Sequence, residues 1–339
     1  MAYVFAFVNG AHNASNAIAT TIATRALTPR PAIIMAAVFN FIGAYATTAI
    51  LSHGAVASTI SRGLVHGDVP QRVIIAALLA AILWGLFTWY LGLPSSSAHA
   101  LVGGLLGAFA LDGMSAGGII WRGVWNSVII PMVTSPIAGI LAAFVFIRVL
   151  RNLLRPLAYK SATGKFKKAQ IFSAALTAFA QGGNNTQKTM GIVTLALAAA
   201  AASAPGALPA WALPGAHNEI PMWVILSSSL VMALGTSIGG MRIIKTLGSG
   251  ILKLTPVEGF AAETSSAIVI EAASLLGAPI ATTHVVSCAI MGVGAAKSVY
   301  SVRWKVVRDM VLAWVITIPA TALAGAAADF LLKAIFGHL

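Results

Sequence analysis

Two stretches place hydroxyl groups behind a proline in an otherwise apolar chain. Residues 93–108 read LPSSSAHALVGGLLGA and residues 278–296 read APIATTHVVSCAIMGVGAA. Proline disrupts a helix interior but is tolerated at a helix start. Ser95, Ser96 and Ser97, and likewise Thr282 and Thr283, are therefore expected near the N-termini of half-helices that begin at Pro94 and Pro279. The first N–H groups of a helix have no intrahelical partner, and the helix dipole adds positive potential there. With hydroxyl donors beside them, such ends form a site for an anion.

A second pair of motifs carries amides. FVNGAHNASN (7–16) resembles FAQGGNNTQK (179–188), with Asn13 over Asn185. Glycine and asparagine are poor helix formers, so local unwinding around a cavity is expected at both places. Asn13 and Asn16, three residues apart, share a helix face. Amide and backbone oxygens suit a hard cation such as Na⁺, and amide N–H groups suit an anion. Lys188 can neutralise part of a bound dianion, because an intramembrane charge is costly and usually functional. His99 and His284 follow the two hydroxyl clusters at matching places and can act as ligands, proton carriers or packing donors. Glu263 and Glu271, eight residues apart, fall on one broad helix face about 12 Å from each other. Glu263 opens its apolar run and reads as a solvated cap. Glu271 reads as the deeper acid. Either can carry a coupling proton or balance a cation.

The elements that must position these groups are membrane helices. The chain has 339 residues, 58% apolar and only 9% charged, with mean hydropathy +0.90. A soluble chain carries about 25% charged residues. Apolar runs fit spans of about 20 residues, giving an all-α integral membrane protein. The first half reads as helices at 2–24 and 31–52, a paired segment at 73–111 and a long helix at 119–149; the second repeats this as 169–197, 222–241, 254–296 and 306–334. His99 lies 86 residues after Asn13, and His284 lies 99 after Asn185. The organisation is a first repeat at 1–150, a basic loop at 151–168 and a second repeat at 169–339. Each half crosses an odd number of times, so the repeats are expected to be inverted, with broken helices and paired re-entrant hairpins. Tracing outward from a cytoplasmic basic loop puts sixteen Lys and Arg inside and four outside, with both termini outside. No processing site follows the first apolar helix, so no cleaved signal is expected. The net charge of +13 is concentrated in cytoplasmic segments, which argues against nucleic acid. The lone Cys288 allows no internal disulfide.

Taken together, NGAHNASNA, GGNNTQKTMG, LWGLFTWYLGLPSSSAHALVGG and GFAAETSSAIVIEAASLLGAPIATTHVVSCAIMGVG resemble the inorganic phosphate transporter (PiT) family of secondary transporters over nearly the whole chain. The resemblance implies an inverted-repeat fold and phosphate co-transport with H⁺ or Na⁺ across the cell membrane. It also implies a homodimer in the bilayer and no cofactor. It puts the substrate and cation sites at Asn13, Asn16, Asn185, Ser95, Ser96, Ser97, Thr282 and Thr283, with Na⁺ at Asn13 and Asn185. The family pattern carries aspartate where this chain has Asn13 and Asn185. Without those charges, the expectation is weak Na⁺ dependence and proton coupling. A sulfate permease of the same family and an anion channel are the alternatives. A hydrolase built on Ser96/His99 or Thr283/His284 is disfavoured, since neither HExxH nor GxSxG occurs.

Overall fold

The computed structural model describes residues 1–51, 54–64, 69–111, 119–154, 159–215 and 219–336, with the side chains of residue 111 and of 159–163 outside the description. The described chain is built of helices. In order they are α1 (Ala2–Ala23), α2 (Pro29–Ala46), α3 (Ala55–Arg62), α4 (Gln71–Leu91), α5 (Ser97–Leu111), α6 (Trp121–Val124), α7 (Ile130–Leu154), α8 (Tyr159–Ser203), α9 (Met222–Ile238), α10 (Met241–Lys245), α11 (Pro256–Leu275), α12 (Thr282–Lys297) and α13 (Trp304–Phe336). A π-helical turn, Thr47–Leu51, extends α2, and another, Trp125–Ile129, joins α6 to α7.

Four helical stretches are long and apolar enough to cross a membrane: Pro29–Leu51, Gln71–Leu91, Trp121–Leu154 and Trp304–Phe336. A fifth forms if α9 and the segment Met241–Gly250, bent by 65° from it, count as one span. Their outer faces are apolar, with Val133, Ile137, Leu141 and Val145 of α7 and Val315, Leu323 and Phe330 of α13 exposed. Polar residues instead fill the interior, among them Asn13, Asn16, Gln181, Asn184, Asn185, Gln187 and Lys188, all buried. A polar inside and an apolar outside suit a protein whose solvent is lipid.

Local chemistry sets the helix ends. Thr255 and Glu258 form a capping box at the start of α11, with Pro256 in its first turn. Helix α4 ends at Gly92 in the left-handed region (φ 71°), and the bend after α11 holds Gly277 in the same region (φ 70°). This is the conformation glycine adopts most readily at a helix end. The prolines come two residues after each glycine, and α5 and α12 start three residues after the prolines. Pro94 and Pro279 thus lie in the connections just before the half-helices rather than in their first turns.

Packing is reciprocal between the two halves. Helix α1 packs on α9 and α8 on α2; α5 packs on α13 and α12 on α7. Gly10 of α1 and Gly235 of α9 sit where backbones meet, with the carbonyl oxygens of Met232 and Phe7 where a Cβ would go. Gly182 of α8 and Gly43 of α2 do the same with the carbonyls of Asn40 and Phe179. Small residues at crossings are the means by which membrane helices approach closely.

Two expectations fail here. The asparagine motifs do not unwind: α1 and α8 run unbroken through them, while Asn13, Asn16, Asn185 and Lys188 bond through their side chains alone. The segment 151–168 is not a loop where it is described. Arg151–Leu154 completes α7, and Tyr159 onward is already α8, whose 45 residues carry Lys165, Lys167 and Lys168 on its first turns. Lysine and alanine are good helix formers, and the single Gly164 meets nothing within 4 Å. Arg155 lies outside the described residues.

Candidate functional site

Both asparagine motifs converge on the N-terminus of α12. From α1, Asn16 Nδ2 donates to Thr283 Oγ1 at 2.9 Å and to Asn13 Oδ1 at 2.9 Å, and Thr283 Oγ1 donates to Asn13 Oδ1 at 3.2 Å. Asn13 Nδ2 in turn donates to Asn9 Oδ1. From α8, Asn185 Nδ2 donates to Thr282 Oγ1 at 3.0 Å. Lys188 Nζ donates to Asn185 Oδ1 at 2.8 Å and to the carbonyl of Ile280 at 2.7 Å. Asn184 donates to the carbonyl of Ala278 and to Ser274 Oγ, both at 3.1 Å, holding the bend between α11 and α12. The residue before α12 is Ala281, which offers no side-chain cap. Helix α12 thus starts without a side-chain cap, and the hydroxyls of its first two residues, Thr282 and Thr283, bond the amides of both motifs.

The start of α5 lies against the same region. Ser95 N donates to His12 Nε2 at 3.1 Å, next to Asn13 in α1, and Ser95 Oγ lies 2.9 Å from Thr88 Oγ1. Ser96 Oγ accepts from His99 N at 3.3 Å, so Ser96 caps α5. A small cavity lined by Asn9, His12, Trp84, Ser95 and Ser97 opens beside this point. The rings of His99 and His284 lie 5.0 Å apart, edge to face, and His284 stacks on Trp314 at 4.0 Å. Trp314 Nε1 donates to the carbonyl of Pro94 at 2.8 Å. One histidine from each half-helix thus meets the other, and both half-helix starts are brought together.

Of the residues singled out from sequence, Asn13, Asn16, Asn185, Lys188, Thr282 and Thr283 form one bonded cluster. Ser95, Ser96 and Ser97 adjoin it through His12 and the histidine contact, with Ser97 only half-buried. The glutamates depart from expectation. Glu263 is not a solvated cap; it is 2% exposed, and the cap of α11 is Thr255 with Glu258. Its carboxylate accepts from Thr20, from Thr21 at 2.6 Å, from Ser173 at 2.5 Å and from Gln170 at 3.2 Å. Helices α1 and α8 close over it and make it the deeper acid. Glu271 is half-buried as a residue, but both of its carboxylate oxygens are enclosed, with the Thr47 hydroxyl beside them. Asn16 and Thr20 are one turn apart on α1, so the Glu263 pocket lies about 6 Å further along that helix.

Several participants escaped the reading of the sequence. Asn9 and His12 lie within the first motif, and the i, i+4 spacing of Asn9 and Asn13 was the available signal. Gln170 and Ser173 share a face of α8, but nothing local in the sequence says that this face meets Glu263, 90 residues on. Three or more His, Cys, Asp or Glu side chains do not gather into a metal site among the described residues.

Residues 9–165 and 157–325 each match the model of the Phosphate transporter family. The chain belongs to the phosphate transporter family. A Bacillus subtilis (strain 168) relative named "Probable low-affinity inorganic phosphate transporter" is 40% identical over 339 residues, covering 99% of this chain and 96% of its own. A Rhizobium meliloti (strain 1021) relative of the same name is 42% identical over 333 residues, covering 97% and 94%. A solved structure titled "The sodium-dependent phosphate transporter" superposes with a TM-score of 0.84 at 27% identity, over 99% of this chain and 98% of that one. The two family matches fall one on each half, and each contains one asparagine motif and one hydroxyl-led half-helix of this phosphate transporter family member.

Proposed function

We propose that this multi-pass membrane protein is a secondary carrier that moves inorganic phosphate across the cell membrane by alternating access, coupled to a cation. The observation that carries this reading is the uncapped start of α12, where Thr282 and Thr283 are held by asparagines from both duplicated motifs. The start of α5 faces it across the histidine contact. An anion there meets free N–H groups, hydroxyls and an ammonium. The reciprocal packing and the paired bends at Gly92 and Gly277 support two inverted repeats, 1–150 and 169–339, with re-entrant hairpins α4–α5 and α11–α12. The charge distribution supports a cytoplasmic 151–168 segment and outer termini. A homodimer belongs to the same reading. So does the absence of enzymatic chemistry: Ser96 Oγ is engaged by the backbone of His99 rather than by its ring.

Glu263 is the group best suited to carry a coupling proton, since among the described residues its carboxylate is bonded by three hydroxyls and an amide, all neutral. A second reading, Na⁺ at Asn13 and Asn16 and at Asn185, is favoured by the solved neighbour being named sodium-dependent. The relatives described above are named for phosphate, which gives the sulfate alternative no support. The test is uptake of labelled phosphate and sulfate into proteoliposomes under separate Na⁺ and proton gradients. Saturable phosphate uptake driven by a gradient supports the carrier. Gradient-independent flux that fails to saturate would show a channel.

A further inference from the structure

The charge on Lys188 is held in an unusual way. The side chain is 1% exposed, so it does not snorkel to an interface. Among the described residues no carboxylate lies within ion-pair distance of it. Its ammonium instead donates to the amide oxygen of Asn185 and the backbone carbonyl of Ile280. Backbone carbonyls freed where a membrane helix is interrupted coordinate small cations; the Ile280 carbonyl just before α12 is such a group, and the Asn185 amide oxygen is a second oxygen ligand beside it.

The duplication sharpens this. Aligning Asn13 with Asn185 puts Asn16 over Lys188. In the first half, Asn16 Nδ2 donates to Asn13 Oδ1 at 2.9 Å; in the second, Lys188 Nζ donates to Asn185 Oδ1 at 2.8 Å. The same i, i+3 relation is kept, but a neutral amide in one half is an ammonium in the other. Asn16 bonds Thr283 of α12 directly, whereas Lys188 reaches the neighbouring Thr282 through Asn185. The ammonium adds to the positive end of the α12 dipole, so the second half is short of negative charge until an anion binds.

We infer that the Lys188 ammonium is a tethered cation: it occupies, in the second half, the two oxygens, of Asn185 and Ile280, that a free monovalent cation would otherwise bind, and so removes one free cation from what must bind with the anion. The inference rests on the phosphate-carrier reading above. A fixed charge cannot leave with the substrate. The second half therefore attracts the anion without recruiting a cation from solution.

The test is phosphate binding by calorimetry on the purified full chain, in choline chloride and with added Na⁺, K⁺ or Li⁺. Lys188→Asn restores the residue of the equivalent place in the first half. It is expected to weaken binding about tenfold to a hundredfold in choline, as loss of charge-assisted hydrogen bonds does. A small cation should restore that binding, with a Hill slope about one unit above that of the parent. Lys188→Met, which offers neither charge nor ligand oxygen, should stay weak in every salt. Asn185→Asp in the otherwise unchanged chain sets a carboxylate against the ammonium and should weaken binding about tenfold in choline; this arm stands even if the Lys188 variants fail to fold. Parent-like binding of Lys188→Asn in choline overturns the inference, as does folded Lys188→Asn that stays weak in all three salts, or unchanged affinity in Asn185→Asp. A parent chain that binds no phosphate under any condition would instead sink the carrier reading beneath it.

Discussion

At the scale of residues, the proposed site is a network of hydroxyls and amides sharing hydrogen bonds, with the Lys188 ammonium bonded into it. Thr283 accepts from Asn16 and donates to Asn13. Thr283→Val keeps the shape and removes both bonds, leaving two buried amides short of a partner. Phosphate affinity is expected to fall about threefold to tenfold, the range for neutral bonds of about 0.5–1.5 kcal/mol. Titration of the purified variant checks this, and unchanged affinity would remove Thr283 from the site. Glu263 poses a different question, since four donors surround a carboxylate that forms no ion pair among the described residues. Glu263→Gln keeps the size and cannot exchange a proton. Uptake driven by a pH gradient should be lost, while equilibrium phosphate binding stays within about threefold of the parent, because the carboxylate lies a helical turn from the anion site. Retained proton-driven accumulation in this variant would exclude Glu263 as the carrier.

At the scale of elements, the asparagines reach α12 only because α1 and α8 lie close to their neighbours. A Cβ added at Gly182 would sit 2.1 Å from the carbonyl oxygen of Asn40, and at Gly10, 2.2 Å from that of Met232. Backbone cannot yield as a flexible side chain can, so the helices must part. Gly182→Ala is expected to destabilise the protein by about 1–3 kcal/mol, the usual cost of overpacking, and to lower phosphate affinity by displacing Asn185, one turn further on. The control is Gly164→Ala, where nothing lies within 4 Å; the same change there replaces a poor helix former inside α8 and should leave the melting temperature in detergent unchanged or slightly raised. Equal effects at the two positions would deny the close crossing any role.

At the scale of the whole molecule, two ion pairs join the halves at equivalent joints. Arg72, at the start of α4, bonds Asp329 of α13 at 2.8 Å, both almost fully buried. Glu258, at the start of α11, bonds Arg151 of α7 at 2.9 Å, with the arginine 36% exposed. Lys297 also approaches Glu258, at 3.8 Å. Removing one member of a buried pair strands the other charge and costs about 3–5 kcal/mol. In the second pair the arginine reaches solvent, and Lys297 remains beside the buried Glu258 when Arg151 is removed, so less charge is stranded. Arg72→Met should therefore lower thermal stability far more than Arg151→Met, as read from melting curves of the two variants side by side. Comparable losses would mean that the two joints are equally buried in solution.

Much of this architecture was legible in the sequence because it depends on local rules. Hydropathy pointed to the helices, and proline placement pointed to the breaks before α5 and α12. Asn13, Asn16, Asn185, Thr282 and Thr283 could be named because each motif carries its polar groups within a few residues. What the sequence could not give was depth and partnership. Glu263 read as exposed because it opens an apolar run, yet α1 and α8 bring Thr20, Thr21, Gln170 and Ser173 over it from distant parts of the chain. The asparagine motifs read as unwound because glycine and asparagine favour no helix; tertiary packing supplied partners and kept α1 and α8 whole. Lys188 read as a charge at the right depth, but its ligands, Asn185 and a carbonyl 92 residues away, were fixed only when α8 met the bend before α12. Local propensity and periodicity are written in neighbours along the chain, whereas the environment of a buried charge is set by neighbours in space.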